Sequence, residues 1–86
     1  MQLRTFFHSP ASGVEQTRAL EEEYANWRRE ADAVAESYRS WTRAPRAVRW
    51  LAYATYQGAL DREEQAACAY WRLVEQVQGR SVRSLL

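Results

Sequence analysis

The residues of this chain best suited to bind a charged ligand lie between positions 39 and 50. That segment reads Arg-Ser-Trp-Thr-Arg-Ala-Pro-Arg-Ala-Val-Arg-Trp, without an acidic residue. Guanidinium groups bind phosphates and indole rings stack on bases, so an anion or a nucleic acid could bind here. The alternative is a solvated turn without a ligand, because the formal net charge is only +1 and no nucleic-acid-binding motif is present. The candidate anion-binding residues are Arg39, Arg43, Arg46, Arg49, Trp41 and Trp50.

Catalytic and metal-binding chemistry finds little support. Cys68 is the only cysteine and His8 the only histidine, which excludes an internal disulfide and a structural zinc site built from these two residue types. A buried, apolar Cys68 is favoured over a Cys–His nucleophile. The chain has no glycine-rich phosphate loop and no Glu-x-x-His pair of a di-iron bundle. The sequence therefore predicts a protein that is not an enzyme and needs no metal and no cofactor.

Length and composition indicate one small helical domain. The chain has 86 residues, of which 47% are hydrophobic, and all twelve basic residues are arginine. No uncharged apolar run approaches the roughly 20 residues that span a bilayer, and residues 1–13 do not form a secretory signal. We expect a cytoplasmic protein without membrane contact. The exclusive use of arginine and the abundance of alanine are typical of a bacterium or phage with a high-GC genome.

The first helix is predicted from about residue 13 to residue 42, after an N-terminal arm of residues 1–12. A capping box formed by Ser12 and Glu15 favours a start there. One face carries residues spaced alternately by four and three positions, which is typical of a coiled-coil seam. These residues are Leu20, Tyr24, Trp27, Ala31, Val34, Tyr38 and Trp41.

The second helix is predicted from about residue 45 to residue 78, after a turn at residues 42–45 and before a tail of residues 80–86. Pro45 ends the first helix and suits the start of the next, and Gly79 suits a C-terminal cap. Small residues in the middle of its apolar face predict that the large rings of the first helix pack there. That face comprises Val48, Ala52, Thr55, Tyr56, Ala59, Ala66, Ala67, Tyr70, Leu73, Val74 and Val77.

Folding the chain back at the turn predicts an all-α, two-helix antiparallel hairpin that resembles a coiled coil. Residues whose numbers sum to about 90 would then lie opposite one another. Glu63 would lie near the centre of the apolar face, where it needs an arginine or another hydrogen-bond donor. The predicted ion pairs join Arg28 and Arg29 to Asp61 and Glu64.

The second helix has more apolar surface than one neighbouring helix can cover. Tyr53, Leu60 and Trp71 extend its apolar face to one side, and exposed areas of this kind usually mark interfaces. Either the N-terminal arm covers them with Phe6 and Phe7, or a second copy or another protein completes a helical bundle. We expect a non-enzymatic interaction module, a small subunit or adaptor that binds a protein partner or forms a homo-oligomer. The alternative is an anion- or nucleic-acid-binding protein.

In length, hairpin plan and a tryptophan near the turn, the chain resembles the small secreted WXG proteins of type VII secretion. That family carries Trp-x-Gly at the turn, where this chain has Trp41-Thr42-Arg43. The family's secretion signal places an acidic residue four positions after a tyrosine, whereas Tyr70 is followed by Val74. The resemblance covers the architecture and implies a secreted helical hairpin as a further alternative.

Overall fold

A computed structural model describes the backbone of residues 2–85 and the side chains of residues 13–79. The elements are helix α1 (Gln2–Arg43), a single 3₁₀ turn (Arg46–Val48) and helix α2 (Arg49–Leu85). The two helices pack side by side in opposite directions, and residues 2–85 contain no strand. The predicted all-α, two-helix antiparallel hairpin is confirmed.

Both helices are longer than the sequence predicts. Helix α1 begins at Gln2, so Ser12 lies inside the helix and the predicted N-terminal cap is wrong. Helix α2 continues to Leu85 instead of ending near residue 78, and Gly79 has no positive φ. Each residue added to an existing helix gains one hydrogen bond, so a glycine that costs about 1 kcal/mol relative to alanine does not end it.

The chain reverses direction at residues 44–48, later than the predicted 42–45. Pro45 is extended (φ −60°, ψ 152°), as its fixed φ and missing amide proton allow. The amide of Val48 then donates a hydrogen bond to the carbonyl oxygen of Pro45 at 3.0 Å. Helix α2 therefore begins at Arg49 rather than at Pro45, because the 3₁₀ turn completes the reversal first.

The helices meet along a seam to which each contributes one stripe of residues. The predicted stripe of α1, from Leu20 to Trp41, faces α2 and is confirmed by its ring contacts and partial burial. The stripe of α2 has the same alternate spacing of four and three positions. Its members are Ala52, Tyr56, Ala59, Glu63, Ala66, Tyr70, Leu73 and Val77.

Two aromatic clusters hold the seam together. About halfway along the hairpin, ring centroids lie 5.3–6.3 Å apart among Tyr24, Trp27, Tyr70 and Trp71. Near the turn, they lie 4.8–6.5 Å apart among Tyr38, Trp41, Tyr53 and Tyr56. The expectation that the large rings of α1 pack on the small residues of α2 did not include these contacts between rings of the two helices. Rings pack on rings, since offset and edge-on pairs gain about 0.5–1.5 kcal/mol beyond their buried area.

Between the clusters the core is thin. Among residues 13–79 only Ala59 and Ala66 are fully buried, with 1% and 5% of their surface exposed. The radius of gyration is 19.1 Å, against about 12 Å for a compact domain of this length. The hairpin measures 60 × 29 × 15 Å and is one helix thick. Every side chain in it therefore lies close to one of two broad faces.

Within the described part of the chain, neither α1 nor α2 contains a segment that is both long and apolar enough to cross a bilayer.

Candidate protein interface

The two broad faces of the hairpin lie on either side of the seam. Successive helical residues are rotated by roughly 100°, so residues that precede a seam residue lie on one face and those that follow lie on the other. An ion pair across the helices, Arg62 Nε to Glu30 Oε1 at 3.5 Å, marks the first face. We call it the groove face, because it holds an apolar groove of about 470 Å³. The groove is lined by Ala33, Glu36, Ser37, Ser40, Val48, Leu51, Ala52, Thr55, Ala59 and Arg62.

The opposite face carries Tyr53, Leu60 and Trp71, and we call it the Leu60 face. Each of these residues follows a seam residue of α2 by one position. They remain 40%, 37% and 52% exposed, respectively. Helix α1 therefore leaves all three incompletely covered, as their place beside the seam predicts. Their role in an interface stays a prediction, and the side chains of Phe6 and Phe7 lie outside the described residues.

The rings of the Leu60 face are held in place by the seam. Trp71 lies edge-on to Trp27 at 6.3 Å, and Tyr53 packs against Trp41 at 4.8 Å between ring centroids. Large aromatic side chains with few free torsions lose little entropy on binding, and fixed ones lose less. Leu60 lies between these two anchors along α2. Gln57 and Glu64 also follow seam residues, so the Leu60 face carries preformed apolar anchors with polar residues between them.

A part-buried hydrogen bond joins the two helices across the seam. The indole Nε1 of Trp27 donates to Glu63 Oε2 at 2.6 Å, across 36 residues of sequence. The sequence predicts that Glu63 needs an arginine or another donor, and the structure supplies an indole. Because the acceptor is charged, a slip of the helices would leave a partly buried carboxylate without its partner.

The ion pairs predicted between the helices are wrong. Among residues 13–79, Arg62–Glu30 is the one ion pair that joins α1 to α2. Arg29 instead donates a long hydrogen bond of 3.4 Å to Asn26 of its own helix. Exposed ion pairs contribute at most about 1 kcal/mol, so aromatic packing determines the register and the charges adapt to it.

Three of the six candidate anion-binding residues have contacts within the hairpin. Arg39 Nη2 lies 2.8 Å from Glu36 Oε1, and this hydrogen bond and positive charge lower the pKa of Glu36. Trp41 packs inside the aromatic cluster near the turn. Arg49 Nη2 donates to the carbonyl oxygen of Ala44 at 3.2 Å, just beyond α1, where helix carbonyls lack partners.

The other three, Arg43, Arg46 and Trp50, are exposed. Neither arginine makes a side-chain hydrogen bond or ion pair with residues 13–79, and Trp50 is 70% exposed. The sequence groups these residues with Arg49 because all lie near the turn. Whether any of the six residues binds an anion stays a prediction.

Cysteine and metal chemistry is limited in the described residues. Cys68 is exposed, so the expectation of a buried thiol is wrong. It lies two positions after the seam residue Ala66, roughly 200° around the helix, and therefore on the outer side of α2. Within the described part of the chain no three His, Cys, Asp or Glu side chains lie close enough together to hold a metal ion.

Comparison of the chain with protein-family models, with curated proteins and with solved structures finds no match.

Proposed function

We propose that this chain is a non-enzymatic interaction module, a small subunit or adaptor that binds a protein partner through the Leu60 face. The observation that supports the proposal is the exposure of Leu60 between the anchored rings of Tyr53 and Trp71. Tryptophan and tyrosine are among the residue types most enriched in binding hot spots.

The thin core gives the hairpin a physical reason to associate. Its only fully buried residues in the described region are two alanines, whereas Leu60 and Trp71 keep much of their area in water. Complete burial of one large apolar side chain contributes about 1.5–3 kcal/mol relative to exposure. For a domain of ordinary marginal stability, covering two such residues changes the free energy of unfolding by a large fraction. We therefore expect association to stabilise the fold.

The test replaces Leu60 and Trp71 by glutamate and measures molar mass by sedimentation or light scattering. We expect the parent chain to be an oligomer or a stable complex and the variant to be a helical monomer. Because Trp71 also contacts the seam, Leu60→Glu alone serves as a second variant that leaves both aromatic clusters intact. The matched control is Val48→Glu with Leu51→Glu, two exposed apolar residues that line the groove face.

A helical monomer for the parent chain, with no partner retained on an affinity column, would contradict the proposal. Loss of association in the control variant and not in Leu60→Glu would assign the interface to the groove face and the turn instead.

A second candidate function is anion or nucleic-acid binding near the turn. It is supported by the exposed indole of Trp50 and by the absence of side-chain partners for Arg43 and Arg46 among residues 13–79. Exposed arginine and an exposed ring are the components that single-stranded nucleic acids bind. Its test is given among the predictions below.

A further inference from the structure

We infer that the partner of the Leu60 face is a second copy of this chain, packed head to tail so that the two turns lie at opposite ends of a four-helix bundle. The inference rests on the proposed function of that face and names its occupant. It is carried by the pattern of charges and small residues that α1 contributes to the face.

The α1 half of the Leu60 face is complementary to itself when reversed. Each of its residues follows a seam residue of α1 by one position. Arg18 follows Thr17, which continues the seam spacing by one turn before Leu20. They are Arg18, Glu21, Ala25, Arg28, Asp32, Ala35, Arg39 and Thr42. If two copies of α1 cross antiparallel around a two-fold axis at residue 30, residues whose numbers sum to 60 meet, as in the layers of an antiparallel coiled coil.

This pairing brings unlike charges together in two of its four layers. Arg28 of each copy meets Asp32 of the other, on both sides of the axis. Further out, Glu21 meets Arg39, which already binds Glu36 within its own chain and would gain a second carboxylate. Ala25 meets Ala35, the next layer out from the axis, and two alanines allow the helices to approach closely.

The same axis brings α2 of one copy onto α2 of the other. Ring contacts pair residues such as Tyr24 with Tyr70, so residue 30 lies level with about residue 64 of α2, and the two Glu64 side chains lie near the axis. Rotation about that level places Leu60 of one copy level with residue 68 of the other, between Ala67 and Trp71. Symmetry makes each of these contacts twice.

The orientation with both turns at the same end is less favourable. It packs α2 of one copy on α1 of the other at equal height, which puts Leu60 between Asp32 and Ala35 and Trp71 between Glu21 and Ala25. It also brings two arginine-rich turns together. In the head-to-tail orientation, Arg43 lies level with residue 17 of the second copy, in the segment that holds four of the glutamates.

The area is what a stable dimer needs. Overlap of residues 17–43 gives a contact about 40 Å long and about 20 Å wide, or about 800 Å² on each copy, which is the size of a standard specific interface. The chain exposes 7095 Å², against roughly 5,300 Å² for a folded monomer of 10.1 kDa. The dimer removes about half of this excess.

The experiment reverses one charge of the central pair at a time and measures the dimer dissociation constant by analytical ultracentrifugation. Arg28→Asp and Asp32→Arg each turn two attractions into two repulsions, and we expect each to weaken the homodimer at least about tenfold. An equimolar mixture of the two variants restores both pairs, so we expect a heterodimer close to the parent in affinity. Repulsion within one chain is unchanged by mixing, so recovery reports contacts between copies. The matched controls are Arg29→Asp and Asp61→Arg, exposed positions off the Leu60 face.

The orientation is tested by spin labels on Ala47→Cys in a Cys68→Ser background. Head-to-tail packing around residue 30 places the two turns about 45 Å apart. A separation below about 20 Å would show both turns at one end and overturn the inference.

Failure of this inference is separable from failure of the proposed function. Suppose that Leu60→Glu weakens the dimer but Arg28→Asp changes the dissociation constant no more than its control Arg29→Asp does. The charge pairing is then wrong, and the proposed function of the face stands. If the parent chain stays monomeric but binds another protein through Leu60, the dimer inference is wrong and the proposed function of the face stands. A chain that neither dimerises nor retains a partner overturns both.

Discussion

Replacing Trp27 by phenylalanine tests whether one hydrogen bond holds the register of the hairpin. The change keeps an aromatic ring in the seam and removes the Nε1–H that donates to Glu63 at 2.6 Å. A hydrogen bond to a charged group contributes about 1.5–3 kcal/mol, and the half-burial of Glu63 lets water replace part of it. The smaller ring also loses contact with Tyr70. We expect the free energy of unfolding to fall by about 1.5–2 kcal/mol.

Thermal unfolding followed by circular dichroism measures this loss. In a domain of this size about 1 kcal/mol corresponds to roughly 4–8 °C, so Tm should fall by about 6–16 °C. Protein concentration must be equal for all variants, because association raises the apparent stability. The matched control is Tyr24→Phe, whose lost hydroxyl has no hydrogen-bond partner among residues 13–79 and which should melt within about 2 °C of the parent.

A double change separates the hydrogen bond from the packing. If Trp27→Phe and Glu63→Gln act through the same contact, the double variant should be destabilised by less than the sum of the two. Additive losses, or a Trp27→Phe variant that melts with the Tyr24→Phe control, would refute the reasoning. The register would then depend on the aromatic clusters alone.

Two further predictions concern the turn and the middle of α2. In a gel-shift titration with mixed RNA and DNA at physiological salt we expect no retardation, because the free arginines Arg43 and Arg46 release few counterions. Retardation that Arg43→Ala with Arg46→Ala abolishes, and that weakens with a log–log salt slope of about −1.8 on duplex DNA, would establish the anion-binding alternative. Gly58→Ala should raise the free energy of unfolding by about 0.5–1 kcal/mol in a denaturant titration, since an added Cβ meets only Arg62 Nη1 at 3.5 Å and φ is not positive. A loss of stability there would mean that another surface packs against Gly58.

The Trp27–Glu63 pair also bears on which register the two helices adopt. An apolar residue in place of Glu63 would suit a thin apolar seam, and the carboxylate brings a desolvation cost. A single polar group in a coiled-coil seam excludes alternative registers, since only one alignment satisfies it. In this hairpin that alignment also sets the height at which Leu60 and Trp71 stand relative to the charges of α1. The polar pair therefore positions the candidate interface as well as the two helices.

The helical nature of the chain, the seam of α1 and the exposure of Tyr53, Leu60 and Trp71 were all predictable from spacing. Which face a residue occupies depends on the fixed rotation per residue, a local property of a single helix. The location of the turn within a few residues followed from Pro45 for the same local reason. The helix ends were less predictable, because the competition between a weak cap and one more helical hydrogen bond is nearly balanced.

By itself, then, the sequence determined the hairpin and its two faces, because spacing, proline geometry and apolar periodicity act over a few neighbouring residues. Only the tertiary structure decided the rest. It paired rings of α1 with rings of α2, gave Glu63 an indole donor, joined Arg62 to Glu30 and used Arg49 to satisfy a carbonyl at the turn. Each of these contacts depends on the axial offset between α1 and α2. That offset follows from the conformation of the turn and the packing of large side chains across the seam, and a shift of about three residues, or roughly 4.5 Å, changes every partner.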